Sequence, residues 1–101
     1  MTAVDAKGLA TVDAGEECPG RALRMRRVTF APGASIPMHS HKGRPEVSIV
    51  LEGPLTNTVK RQSPTQLPAG SAVANGPEVE HLPANESGKP VVVVSIDLIA
   101  K

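Results

Sequence analysis

Aromatic side chains are nearly absent: the 101 residues include one Phe and neither Tyr nor Trp. The core must therefore be packed with Val, Ile, Leu and Met. A ligand would find few rings to stack on, which counts against nucleotides, bases and sugar rings as occupants. Cysteine is almost missing too. Cys18, the one present, cannot close an intrachain disulfide, so stability has to come from packing. It reads as a partly exposed thiol with no redox or metal role. Charge of one sign is not in excess either, with 11 Lys and Arg against 10 Asp and Glu for a net of +1. That balance excludes an electrostatically driven nucleic-acid or membrane-surface role. No run approaches the roughly 20 apolar residues needed to cross a bilayer. Asp5, Lys7 and Gly8 interrupt the start of the chain where a secretory leader would be apolar, so a cytoplasmic setting is expected.

What the chain does have is punctuation. Ten prolines and nine glycines are spread along it, leaving little room for a long helix. Short runs rich in Val, Ile, Leu and Thr lie between them, the pattern of an all-β sandwich or barrel. Residues 1–22 read as an N-terminal arm, or as an edge strand able to pair with a partner subunit, and 23–101 as the barrel domain. Arg24 and Arg26 fall on one face of an extended segment, with Leu23 and Met25 on the other. The arginine face reads as solvated, and the change of apolar phase at Arg27–Val28 predicts a bulge there. Leu55, Asn57 and Val59 share a face. Val91–Ile99 is apolar enough to be buried on both sides. Met25 and Met38 read as core filler.

The chain holds three histidines. His39 and His41 are spaced i, i+2, which in a strand puts both imidazoles on one face. Glu46 follows across a Gly/Pro loop that can fold it back towards them, and His81 comes from a distant segment. Any one of these histidines alone would ordinarily be a surface or core residue. Together, three imidazoles and a carboxylate suit a divalent transition metal: Mn, Fe, Co, Ni, Cu or Zn. A structural zinc site would more often use cysteine.

The setting of the four gives them weight. Gly33 to Gly53 reads GASIPMHSHKGRPEVSIVLEG. That is Gly, five residues, His-x-His, four residues, Glu, six residues, Gly, and it resembles the first signature of the cupin superfamily at every defining position. Gly70 to Asn85, GSAVANGPEVEHLPAN, is similar to the second signature. It keeps Gly70, His81 and Asn85 at the family spacing and departs from it with Gly76 where Pro is usual and Glu78 where Gly is usual. The resemblance implies a double-stranded β-helix, or jelly-roll barrel, with His39, His41, Glu46 and His81 as metal ligands. Strand parity places Ser48 and Val50 inward with Glu46 and turns Glu80 outward beside His81, and the Asn85 side chain is expected to tie down a turn. Arg44 is expected to face solvent, the other reading being a grip on a substrate carboxylate.

The same ligand set serves dioxygenases, isomerases, lyases and decarboxylases in that superfamily, as well as domains with no known reaction. The expectation is a metal-dependent enzyme, of dioxygenase type by that resemblance, on a small polar organic molecule. The alternative is a non-catalytic small-molecule-binding or metal-sensing module. Small cupins are commonly homodimers, so a homodimer is expected here, with no nucleic-acid or membrane partner.

Overall fold

A computed structural model describes residues 4–101. Residues 1–3, the start of the expected arm, lie outside the described residues. Nine strands make up the regular structure among those described. They are β1 (Val4–Asp13), β2 (Arg21–Phe30), β3 (His39–Ser40), β4 (Glu46–Glu52), β5 (Leu55–Val59), β6 (Thr65–Leu67), β7 (Ala72–Asn75), β8 (Glu80–Ala84) and β9 (Val91–Ala100). They pair antiparallel in two sheets, ordered β1-β2-β9-β4-β7 and β3-β8-β5-β6. This is the all-β architecture that the Pro/Gly punctuation predicts, in the jelly-roll form that the resemblance implies. No helix is long and apolar enough to cross a membrane among the described residues.

The core lies between the sheets. Val28, Phe30, Ala34, Val50, Leu55, Val91 and Val93 form one buried cluster. Each fully buried branched or aromatic side chain there contributes about 1.5–3 kcal/mol. β9 runs between β2 and β4, and this explains its apolar run: Val91, Val92 and Val93 are all buried. Glu46, Ser48 and Val50 alternate inward along β4, and Val50 is 1% exposed.

Turn chemistry holds the strands in place. Gly33 has φ +82°, the left-handed region that side chains with a Cβ rarely enter. At Gly53 the constraint is space, because a Cβ would lie 3.0 Å from the Leu67 carbonyl oxygen and 3.1 Å from Val50. Asn85 is buried and ties its turn together. Its amide donates to the carbonyls of Phe30 (3.0 Å) and Lys89 (2.7 Å), and its oxygen accepts from the backbone N–H and hydroxyl of Ser87.

Three expectations need correction. The β2–β9 register runs unbroken from Arg21 to Phe30, so there is no bulge at Arg27–Val28. Irregularities fall instead at Gly8/Ala10 in β1 and at Val50/Glu52 in β4. The reason is that Arg24 and Arg26 face inward with Ala22, Val28 and Phe30, while Leu23 faces out. The strand keeps one phase, and Arg24 in its polar half finds a carboxylate partner, Asp97, inside the barrel. Met38 is not core filler either, being 40% exposed.

Candidate metal centre

The inner face of the larger sheet is graded along its strands. Phe30 pairs with Val91, and Val28, Val93 and Val50 make the next apolar rung. Arg26, Ser95 and Ser48 form a polar rung beside it. Beyond that, Arg24, Asp97, Glu46 and Asn75 form an ionic one. The second sheet faces this gradient with β3 and β8, where His39 pairs with His81. His41 follows the end of β3.

The fold brings the three histidines together, with one ring nitrogen from each lying within 4.8 Å of the others. Ring centroids are 5.1, 4.6 and 4.9 Å apart for the three pairs. His41 and His81 are buried. Each Nδ1 meets an acceptor: His39 the Pro37 carbonyl at 2.9 Å, His41 the Arg44 carbonyl at 3.1 Å, and His81 the Asn57 side-chain oxygen at 2.8 Å. A carbonyl or amide oxygen only accepts, so the ring proton sits on Nδ1 in all three. The Nε2 lone pairs are then free. Those of His41 and His81 face each other at 3.0 Å.

Two opposed lone pairs at that distance repel unless a cation lies between them. Two ligands set at right angles on an ion about 2.1 Å away would be about 3.0 Å apart. The donor set therefore fits a divalent transition metal, and the Nδ1 bonds are the kind that hold ligating imidazoles in place. Burial, followed by the charges of His39 and His41, pushes His81 down to about 4, so it stays neutral and able to ligate.

Glu46 stands beside this cluster. Its Oε1 is 3.7 Å from His41 Nε2. Oε1 accepts from Asn75 Nδ2 at 3.0 Å and Oε2 from the Ser95 hydroxyl at 2.5 Å. These bonds hold the carboxylate towards the histidines. Glu80, on the opposite face of β8 from His81, reaches out to Lys60 at 3.4 Å.

Arg44 does not face solvent as expected. It reaches Asp97 at 2.7 Å and lines the cavity beside the histidines. Asp97 also takes both ends of Arg24, at 3.0 and 2.7 Å. Burial works to raise the Asp97 carboxyl, but hydrogen bonds from Arg24 and Arg44 outweigh it and hold the group below the usual carboxylate range. Asp97 is thus the inward partner that the reading of a solvated arginine face missed. Its signal was a lone charge inside the apolar run Val91–Ile99. Asn57, Asn75 and Ser95 were also missed, although the Leu55/Asn57/Val59 alternation placed Asn57 on a defined face. The cavity encloses about 260 Å³, with His39, His81, Glu46, Arg26 and Arg44 at one end and Phe30, Leu55 and Val93 at the other.

The fold is shared with several solved structures. Oxalate oxidase in complex with the substrate analogue glycolate superposes with a TM-score of 0.73 at 19% identity, over 98% of this chain and 55% of the other. This chain thus spans about half the length of that protein. The Cupin_2 domain of an XRE family transcriptional regulator from Enterobacter cloacae gives 0.72 at 21% identity, over 95% of this chain and 96% of the other. KdgF from Halomonas sp. gives 0.73 at 18% identity, over 94% and 78%. No curated protein matches the sequence. A family model described as the cupin domain matches residues 26–97, the span from Arg26 of β2 to Asp97 of β9, and the chain belongs to that family.

Proposed function

We propose that this cupin holds one divalent transition metal with His39, His41, His81 and Glu46, and acts as a metal-dependent enzyme on a small polar organic molecule. The observation that carries the reading is the pair of Nε2 atoms facing each other at 3.0 Å, each ring locked through its Nδ1. Glu46 adds the anionic donor that lowers the net charge of a bound dication. A metal there would supply Lewis acidity towards a substrate oxygen and, if it were iron or copper, redox chemistry of the dioxygenase kind. The chain's own residues position and exclude. Asn57, Pro37 and Arg44 fix the imidazoles, Asn75 and Ser95 fix the carboxylate, and the valine rungs keep water from the cavity floor. A cavity of about 260 Å³ suits a compact occupant. The glycolate held by the similarly folded oxalate oxidase is a molecule of that kind.

The second reading is a non-catalytic ligand-binding or metal-sensing module, in line with the regulator domain that matches nearly end to end. In either case a homodimer fits the exposed apolar side chains Leu23, Val47 and Ile49 on the outer sheet face, which a second copy would cover. A cytoplasmic setting would keep Cys18 reduced.

Metal analysis of the purified protein tests the centre. One equivalent is expected in the wild type, none in His41→Ala, and weaker retention in Glu46→Gln. A wild type that takes up no transition metal at neutral pH would refute it. Oxygen uptake by the Fe(II)-loaded protein with small organic acids separates the enzyme from the module. A ligand that raises the melting temperature without turnover favours the module.

A further inference from the structure

Three arginines enter the barrel from one end, and their surroundings treat them unequally. Arg24 and Arg44 are both hydrogen-bonded to Asp97. Arg26 is not. Its nearest carboxylate oxygen, Asp97 Oδ2, is 3.7 Å away, beyond hydrogen-bond reach. Its Nε is buried with no hydrogen-bond partner, alone in this respect among the side chains of the described residues. A buried guanidinium N–H without an acceptor is costly, so it calls for a partner that the protein itself does not supply, whether an ordered water, an ion or a bound ligand. Arg26 lines the same cavity as His39 and His81. Its neighbours across the sheet are Ser95 and then Ser48, so the rung offers hydroxyls beside the guanidinium but no anion.

The charge count agrees. Arg24, Arg26 and Arg44 face two carboxylates on this wall, Asp97 and Glu46. If Glu46 is turned to the metal, the surplus positive charge on the wall grows. On the other side of Arg26 the wall becomes apolar at once, with Val28, Val93 and Leu55 lining the cavity.

We propose that Arg26 is the anion-recognition residue of this cavity, gripping the carboxylate of a short aliphatic acid whose body lies on the valine floor. Arg26 supplies the planar fork that matches a carboxylate. Ser48 is within the same rung to take a further oxygen. The proposal deepens the small-molecule reading above by naming the substrate class. It stands on the cavity wall and not on the metal, so the two can fail separately.

The test is calorimetric titration of butyrate and of its uncharged isostere butyramide into the full-length protein, metal-free and zinc-loaded, at low ionic strength. Butyrate is expected to bind in both forms and butyramide at least tenfold more weakly. Arg26→Gln is expected to lower butyrate affinity about 10–100-fold, the value of a charged hydrogen bond to a buried group, and Arg26→Lys to recover part of it. Zinc content should be the same in all variants. Arg27→Gln removes the same charge from the outward face of the same strand, where Arg27 lies 4.0 Å from Glu52, and is expected to bind as wild type. Should Arg26→Gln fail to fold, Arg26→Met replaces it.

The proposal is overturned if butyrate and butyramide bind alike, if neither binds, if Arg26→Gln binds as wild type, or if Arg27→Gln weakens binding as much as Arg26→Gln. A protein that binds butyrate through Arg26 yet takes up no zinc would sink the metal centre and leave this proposal standing.

Discussion

His81 makes the metal-free protein sensitive to acid in a calculable way. Burial, then its two histidine neighbours, bring the ring from 6.5 to about 4 in the folded chain. In the unfolded chain it would titrate near 6.5. Above that value neither state binds a proton at this ring, and its contribution is constant. As pH falls from about 6.5 to about 4, the unfolded state takes up a proton that the folded state refuses, so stability drops. Below about 4 both states are protonated and the loss levels off. At 1.36 kcal/mol per pH unit the whole window is worth about 3 kcal/mol, a large part of the 5–15 kcal/mol that holds a domain together. Guanidinium unfolding of metal-free wild type and His81→Gln between about pH 7 and pH 4 measures it. The stability advantage of wild type should shrink by about 3 kcal/mol across the window. A difference that stays flat, or an imidazole signal of His81 titrating near 6.5 by NMR, would refute the reasoning. Saturating zinc should raise stability at neutral pH, because it binds the folded form. It should also steepen the fall, because the ion must leave before the ring accepts a proton.

Other outcomes follow from the same contacts. Asn57→Ala frees the His81 Nδ1 and should weaken metal binding about 10–100-fold, read by competition with a chromophoric chelator. Asp97→Asn leaves Arg24 and Arg44 without the carboxylate they both hydrogen-bond and removes the negative charge nearest Arg26. It should cost about 3 kcal/mol, the lower end for breaking a buried pair because the arginines are partly exposed; thermal melting will show it. Val47→Glu puts a charge on the outer apolar face and should leave a monomer in sedimentation analysis, where the wild type is expected to sediment as a dimer.

The barrel and the histidine cluster were legible from local features. Gly33, the His39/His41 pair and Asn85 each carry a constraint that a few neighbouring residues reveal: a left-handed turn, a shared strand face, a side chain that closes its own loop. The arginines were not legible in the same way. Alternation of Arg with Leu and Met in β2 defines two faces but does not say which one faces in. The usual prior sends arginine to solvent. It fails here because Asp97, which sits opposite Arg24 on the neighbouring strand, is more than seventy positions away. Arg44 was misread for the same reason. Cross-strand register is what decides such cases, and one chain's text does not contain it.

β1, the outermost strand of the larger sheet, has its pairing interrupted between Gly8 and Ala10, and it carries Asp5, Lys7 and Asp13. A free backbone edge of that kind is a template on which another chain could add itself as a further ribbon, copy after copy, into a fibre. The irregular spacing and the scattered charges spoil that template. Growth sideways is thereby discouraged, which leaves the broad outer face as the surface on which the proposed pairing of two copies would close.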